Sequence, residues 1–139
     1  MNRKAPGAFT LIELLLVMVI LAVLASVAIP VYLKQAEISR VRATIADIAH
    51  VKSALASYQL DVGTFPSTEE GLDALVHRPP SAETWHGPYL EQIPPDKWGS
   101  QYRYMFPSPD EPDNYKLFSC GKDHVDYSED DITQYTLAN

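Results

Sequence analysis

One carboxylate, Glu13, stands at the head of an apolar run in which the 20 residues from Leu14 to Leu33 carry no charge. A charged side chain at hydrocarbon depth costs roughly 2.5–3.5 kcal/mol on insertion scales, so an acid placed there needs a partner and marks a functional site. A second concentration of chemistry lies near the other end of the chain, where Asp123, Asp126, Glu129, Asp130 and Asp131 put five carboxylates within nine residues. Left bare, they repel one another. A hard divalent cation held by carboxylate and carbonyl oxygens would neutralise them and fix the loop; a solvated acidic loop accounts for the same residues. The spacing is not that of an EF-hand, since the alternating acids, central glycine and terminal bidentate Glu are missing. Cys120 and His124 are the residue types of a nucleophile and its base, but a Cys closing an apolar strand reads as a small packed hydrophobe. His50, His77 and His86 are scattered without zinc spacing, and neither a phosphate-binding glycine loop nor a hydrolase elbow occurs. These residues ask for no reaction, and the expectation is a protein that is not an enzyme.

The element that must position Glu13 is a helix. At 1.5 Å per residue, the uncharged run spans roughly 30 Å, the thickness of a bilayer core. Arg3 and Lys4 precede it, which orients the N-terminus to the cytoplasm and the remainder across the membrane, in the periplasm of a Gram-negative cell. A secretory signal peptide with Ser26-Val27-Ala28 as its cleavage site is the competing reading. Glu13 counts against it, as does the helical sequence that continues past Ala28. Pro30 removes one backbone hydrogen bond and is expected to kink or loosen the helix without ending it. Beyond it, Ile38, Val41, Ile45, Ile48, Val51, Leu55 and Tyr58 recur at steps of three and four, while Lys34, Glu37, Arg40, Asp47 and Lys52 take other faces. This amphipathic half needs a cover.

Asp61-Val62-Gly63-Thr64-Phe65-Pro66 carries the glycine and proline that stop a helix. Ser67-Thr68-Glu69-Glu70 reads as a capping box for a short helix through Leu75. Turn-rich segments around Trp85 and Trp98 follow, with both tryptophans able to pack over a small core. Asp61, Asp73 and Asp96 read as turn and cap residues. Gln101 to Phe106 and Tyr115 to Ser119 are expected strands, and Ile132 to Leu137 a weaker third. Short turns between strands imply an antiparallel sheet covering the amphipathic half-helix, an α+β fold.

Composition narrows the partners. The chain of 139 residues has a formal net charge of −7, and without Arg3 and Lys4 it is more acidic still, which argues against nucleic acid. Its lone cysteine, Cys120, leaves no internal disulfide to hold the loops.

Gly7-Ala8-Phe9-Thr10-Leu11-Ile12-Glu13 resembles the class III signal of type IV pilins and pseudopilins, which a prepilin peptidase cuts on the cytoplasmic side. The family has Gly directly before Phe, whereas here Ala8 intervenes. Cutting after Ala8 makes Phe9 the first mature residue and Glu13 the fifth, which fits the family's spacing; cutting after Gly7 makes Glu13 the sixth. The resemblance implies methylation of the new terminus and a salt bridge from Glu13 of one subunit to the Phe9 amine of its neighbour. Leu60 to Pro66, Glu70 to Val76, Trp85 to Leu90, Pro95 to Gly99 and Phe118 to Asp123 look like successive signatures of the major pseudopilins of type II secretion systems.

That resemblance implies a type IV pilin-like fold, with a leader at 1–8, a transmembrane and assembly helix at 9–33 that includes Pro30, and a periplasmic domain at 34–139. It implies a single-pass inner-membrane protein that polymerises into a helical periplasmic filament with minor pseudopilins, on a secretion platform driven by a cytoplasmic ATPase. It also implies calcium in the C-terminal loop, with Gly121-Lys122-Asp123 opening the site, Asp131-Ile132 closing it and Asp126 standing in as a ligand within a loop shorter than the family's. A type IV pilin, a minor pseudopilin and a membrane-anchored calcium-binding module that never polymerises are the alternative readings.

Overall fold

The computed structural model describes residues 9–136; Gly7, Ala8 and Leu137 lie outside them. The chain divides into two compact units between Glu37 and Ile38. A helix, α1, runs Leu11–Val62, 52 residues without a break.

In the first unit, the large apolar side chains from Phe9 to Leu33 are 49–81% exposed. Among the described residues, α1 is the one helix long and apolar enough to cross a membrane. The Ser26 hydroxyl donates back into the helix, to the Val23 carbonyl at 2.7 Å, which spares an apolar surrounding a bare hydroxyl. The helix continues through Pro30, as expected.

In the second unit, Thr44, Ile48, Val51, Leu55 and Tyr58 are buried at steps of three and four, and Ala54 joins them. Val41 and Ile45, expected on the apolar stripe, are partly buried and pack at its flank. Thr44, not among the expected apolar positions, is buried in line with them, and its Oγ1 has no hydrogen-bond partner among the described residues. Gly63 ends α1 with φ +88°, and its amide donates to the Gln59 carbonyl at 2.8 Å. The capping box forms: the Ser67 amide donates to Glu70 Oε2 at 2.9 Å and the Glu70 amide to Ser67 Oγ at 3.2 Å. It leads into a 3-10 helix, η1, at Gly71–Leu75.

Strands β1, Arg103–Met105, and β2, Lys116–Phe118, pair antiparallel with Arg103 opposite Phe118 and Met105 opposite Lys116. Both are shorter than expected. The third strand is corrected to a single bridge, Ser119 with Ile132. After that bridge the chain turns on its own side chains: the Thr133 amide donates to Thr136 Oγ1 and the Tyr135 amide to Thr133 Oγ1, bonds that compete with a ladder.

The core gathers Ile48, Leu55, Tyr58, Leu75, Leu90 and Leu117, with Trp85 and Trp98 packed against it as expected. The Trp85 indole N–H donates to the Ala74 carbonyl at 2.9 Å, which satisfies the polar end of a large apolar ring.

Candidate functional site

At the head of α1, Glu13 Oε2 accepts from the Thr10 amide at 2.8 Å and from the Thr10 hydroxyl at 2.9 Å, and the Glu13 amide donates to Thr10 Oγ1 at 3.3 Å. This is a reciprocal capping box. Thr10 is thus the partner that the residue types alone did not assign to Glu13, although Thr10-Leu11-Ile12-Glu13 carries the same threonine-to-glutamate spacing as a capping box. Phe9 precedes it, 81% exposed.

The acidic stretch is a loop whose base is pinned by paired bonds: the Ser119 amide donates to the Ile132 carbonyl at 3.0 Å, and the Ile132 amide returns a bond at 2.8 Å. The loop turns through positive φ at Gly121 (+66°), His124 (+58°) and Tyr127 (+64°). A Cβ on Gly121 would collide with the Asp130 carbonyl oxygen, so glycine serves both the conformation and the close approach there.

The three candidate ligands do different things. Asp123 Oδ1 accepts from the Val125 amide at 2.9 Å, an Asx turn within the loop. Asp126 Oδ1 accepts from the Cys120 thiol at 2.9 Å and from Arg103 Nε at 2.8 Å, and these donors, the thiol first, hold its carboxyl below the usual carboxylate range. Asp131 Oδ2 accepts from the Tyr127 amide at 3.0 Å, whereas its Oδ1 is buried without a hydrogen-bond partner among the described residues. Among the described residues, no three His, Cys, Asp or Glu side chains come together as a metal-binding group.

Cys120 and His124 do not form a catalytic pair. His124 Nδ1 lies 2.6 Å from Ser100 Oγ, while the Cys120 thiol faces Asp126. Burial, reinforced by Asp126, pushes that thiol up to about 11, so it stays protonated and inert near neutrality. His50 is on the exposed helix face, as expected.

The loop rests on a residue whose importance the residue pattern did not disclose. Asp96 is 4% exposed. Its Oδ1 accepts from the Trp98 and Ser100 amides at 3.0 and 2.8 Å, and its Oδ2 from the Ser119 hydroxyl at 2.5 Å. The Gly121 amide in turn donates to Ser119 Oγ at 3.1 Å. One buried carboxylate therefore joins the 95–100 turn to the end of β2 and the first residues of the acidic loop. Asp followed three residues on by Gly signals a turn; that Ser119 closes it from far along the chain is visible only in three dimensions.

Comparison with known proteins bears on the whole chain. The family model described as type II secretion system protein G matches residues 31–135, and the prokaryotic N-terminal methylation motif matches residues 3–29. Type II secretion system core protein G of Klebsiella michiganensis is 34% identical over 142 residues, covering 99% of this chain and 99% of that protein. The core protein G of Pseudomonas aeruginosa is 37% identical over 127 residues, covering 88% of each. The crystal structure of the major pseudopilin from the type 2 secretion system of enterohaemorrhagic Escherichia coli superposes with a TM-score of 0.60 at 33% identity, covering 68% of this chain and 84% of that one.

Proposed function

The chain belongs to the type II secretion system protein G family, and on that premise we propose how its own residues make it the structural subunit of a pseudopilus. The observation that carries this reading is the continuity of the match, from the methylation motif through the C-terminal domain, with Phe9 and Glu13 inside the motif. The chain is a structural component and catalyses no reaction of its own.

Before assembly, the helix is held in the inner membrane with its N-terminus cytoplasmic and its acidic domain periplasmic. Prepilin peptidase removes residues 1–8, cutting after Ala8, and leaves Phe9 with a methylated terminal amine. Within one chain, Thr10 caps the Glu13 carboxylate and lowers the cost of carrying it at the membrane edge. Capping supplies hydrogen bonds but no opposite charge. The Phe9 amine of a neighbouring subunit supplies that charge, and the pairing in a low-dielectric helix bundle fixes the axial step of a homopolymeric filament. Minor pseudopilins and the inner-membrane platform are its further partners. At Pro30 the missing N–H leaves the Ser26 carbonyl without its helical donor, a point at which the helix can adapt to packing among its copies.

Calcium is proposed for the loop between Gly121 and Ile132. The buried Oδ1 of Asp131 supports it, since a cation would satisfy an oxygen that no donor among the described residues reaches. Asp123 and Asp131 would hold the ion with backbone carbonyls. Bound there, calcium neutralises carboxylates and ties the two ends of the loop together. Titrating calcium into the full-length protein in detergent should raise its melting temperature, by about 2.7 kcal/mol of stability at a hundredfold excess over Kd. An unchanged melting temperature well above millimolar calcium would remove the metal from this account.

The functional reading is tested by expressing the chain in a type II-secreting strain that lacks its own protein G. Sheared periplasmic filaments containing a protein whose N-terminal residue is Phe9 are expected. A product that stays in the membrane and yields no filament would point to the anchored, non-polymerising module instead.

A further inference from the structure

We propose that Arg103 is a built-in counter-cation for the acidic loop, which holds Asp126 as a structural strap and withdraws it from the metal ligands. Strand register places the arginine for this task. Arg103 lies opposite Phe118 in the β1–β2 pair, and Cys120 follows two residues beyond that end of β2, just past the Ser119 bridge. A long side chain at position 103 reaches diagonally toward that neighbour. Arg103 Nε and the Cys120 thiol converge on one oxygen, Asp126 Oδ1, at 2.8 and 2.9 Å. The thiol is 1% exposed, so the strap ties an exposed loop apex to a buried strand end.

Further groups of the same sheet clamp the neighbouring loop residue. The Tyr127 ring packs on Phe118 with centroids 5.4 Å apart, and Lys116 Nζ lies 4.9 Å from the Tyr127 centroid. Arg103 is thus the cation of the sheet that pairs with the acidic loop, whereas Lys116 pairs with Asp110 at 3.0 Å and reaches the loop only through the Tyr127 ring. The loop carries its charge in two parts. Asp126 is neutralised by Arg103, while Asp131 keeps a buried oxygen that no donor among the described residues reaches. What concerns calcium in this division rests on the calcium reading above; the strap stands without it.

The test uses the full-length protein in detergent, with Arg103→Gln, Asp126→Asn and Asp131→Asn variants, in excess chelator and in a calcium titration. With chelator, amides of residues 121–131 should exchange with solvent severalfold faster in Arg103→Gln and Asp126→Asn than in the unaltered protein, while α1 amides beyond residue 44 exchange as before. Unchanged loop exchange in both variants would overturn the strap. In the titration, Asp126→Asn should keep its calcium-dependent rise in melting temperature and Asp131→Asn should lose it. Arg103→Gln, with Asp126 released, should bind calcium more tightly. Loss of the calcium response in Asp126→Asn would overturn the division of labour by making Asp126 a ligand. Absence of any response in the unaltered protein would discard calcium and leave the strap to be judged by exchange in chelator.

Discussion

Thr10 and Glu13 cap each other at the head of α1, the threonine amide and hydroxyl both donating to Glu13 Oε2 and the glutamate amide returning to Thr10 Oγ1. The same carboxylate therefore has a task in the single chain and another in the assembly. As a cap it satisfies amides at a helix start; as an anion it demands a cation. Hydrogen bonding serves the first task and only charge serves the second.

Substitution separates the two. Glu13→Gln retains an oxygen that can accept from Thr10, whereas Glu13→Ala removes both cap and charge. Membrane insertion should survive in each, and filaments recovered by shearing should be lost in each. Filaments from Glu13→Gln at the unaltered level would assign the residue to capping and sink the pairing with Phe9.

Among the described residues, Asp96 is the one buried acid, and its removal strands three donors. Asp96→Ala is expected to destabilise the domain by about 2–4 kcal/mol, because the Trp98 and Ser100 amides and the Ser119 hydroxyl lose their acceptor. Ser119→Ala removes the donor to Asp96 Oδ2 and the acceptor of the Gly121 amide, and should cost about 1–2 kcal/mol, less than Asp96→Ala. Denaturant unfolding of the full-length protein measures both, and equal costs would show that the carboxylate does not act as a hub.

The Cys120 thiol, pushed up to about 11, leaves on the order of one molecule in a thousand as thiolate at pH 8. Iodoacetamide should leave the native protein unlabelled over the time in which the denatured chain reacts fully. Equal labelling rates for the two would mean that the strand end and its strap open readily.

Glu70 gives the domain a pH dependence. Its carboxyl lies below the usual carboxylate range, chiefly because the Ser81 hydroxyl donates to it and then because the Ser67 amide does. A folded-state value below the unfolded one stabilises above the unfolded pKa, and the contribution disappears as pH falls through the folded value. Solvent screening keeps it under about 1 kcal/mol. The stability difference between the unaltered protein and Glu70→Gln should hold from pH 7 to about 5 and shrink below that. A difference that grows on acidification would contradict the assignment.

What could be read from the residues alone is local. The apolar length of the first helix, its end at Gly63, the Ser67–Glu70 box and the lone buried cysteine follow from interactions within a few positions of the chain, where spacing dictates geometry. Thr10 as the cap of Glu13 is equally local, set by a spacing of three residues, whereas the charge of Glu13 calls for a partner that its own chain segment does not supply. The tertiary structure alone decided the rest. Ser119 reaches Asp96 across 23 positions, and Arg103 reaches Asp126 across another 23. Thr44 is buried on α1 because the domain covers that line of the helix, and the last strand shrinks to one bridge because its threonines bond to their own turn. Burial and long-range pairing depend on which surfaces meet, and residue types specify candidates for those meetings without selecting among them.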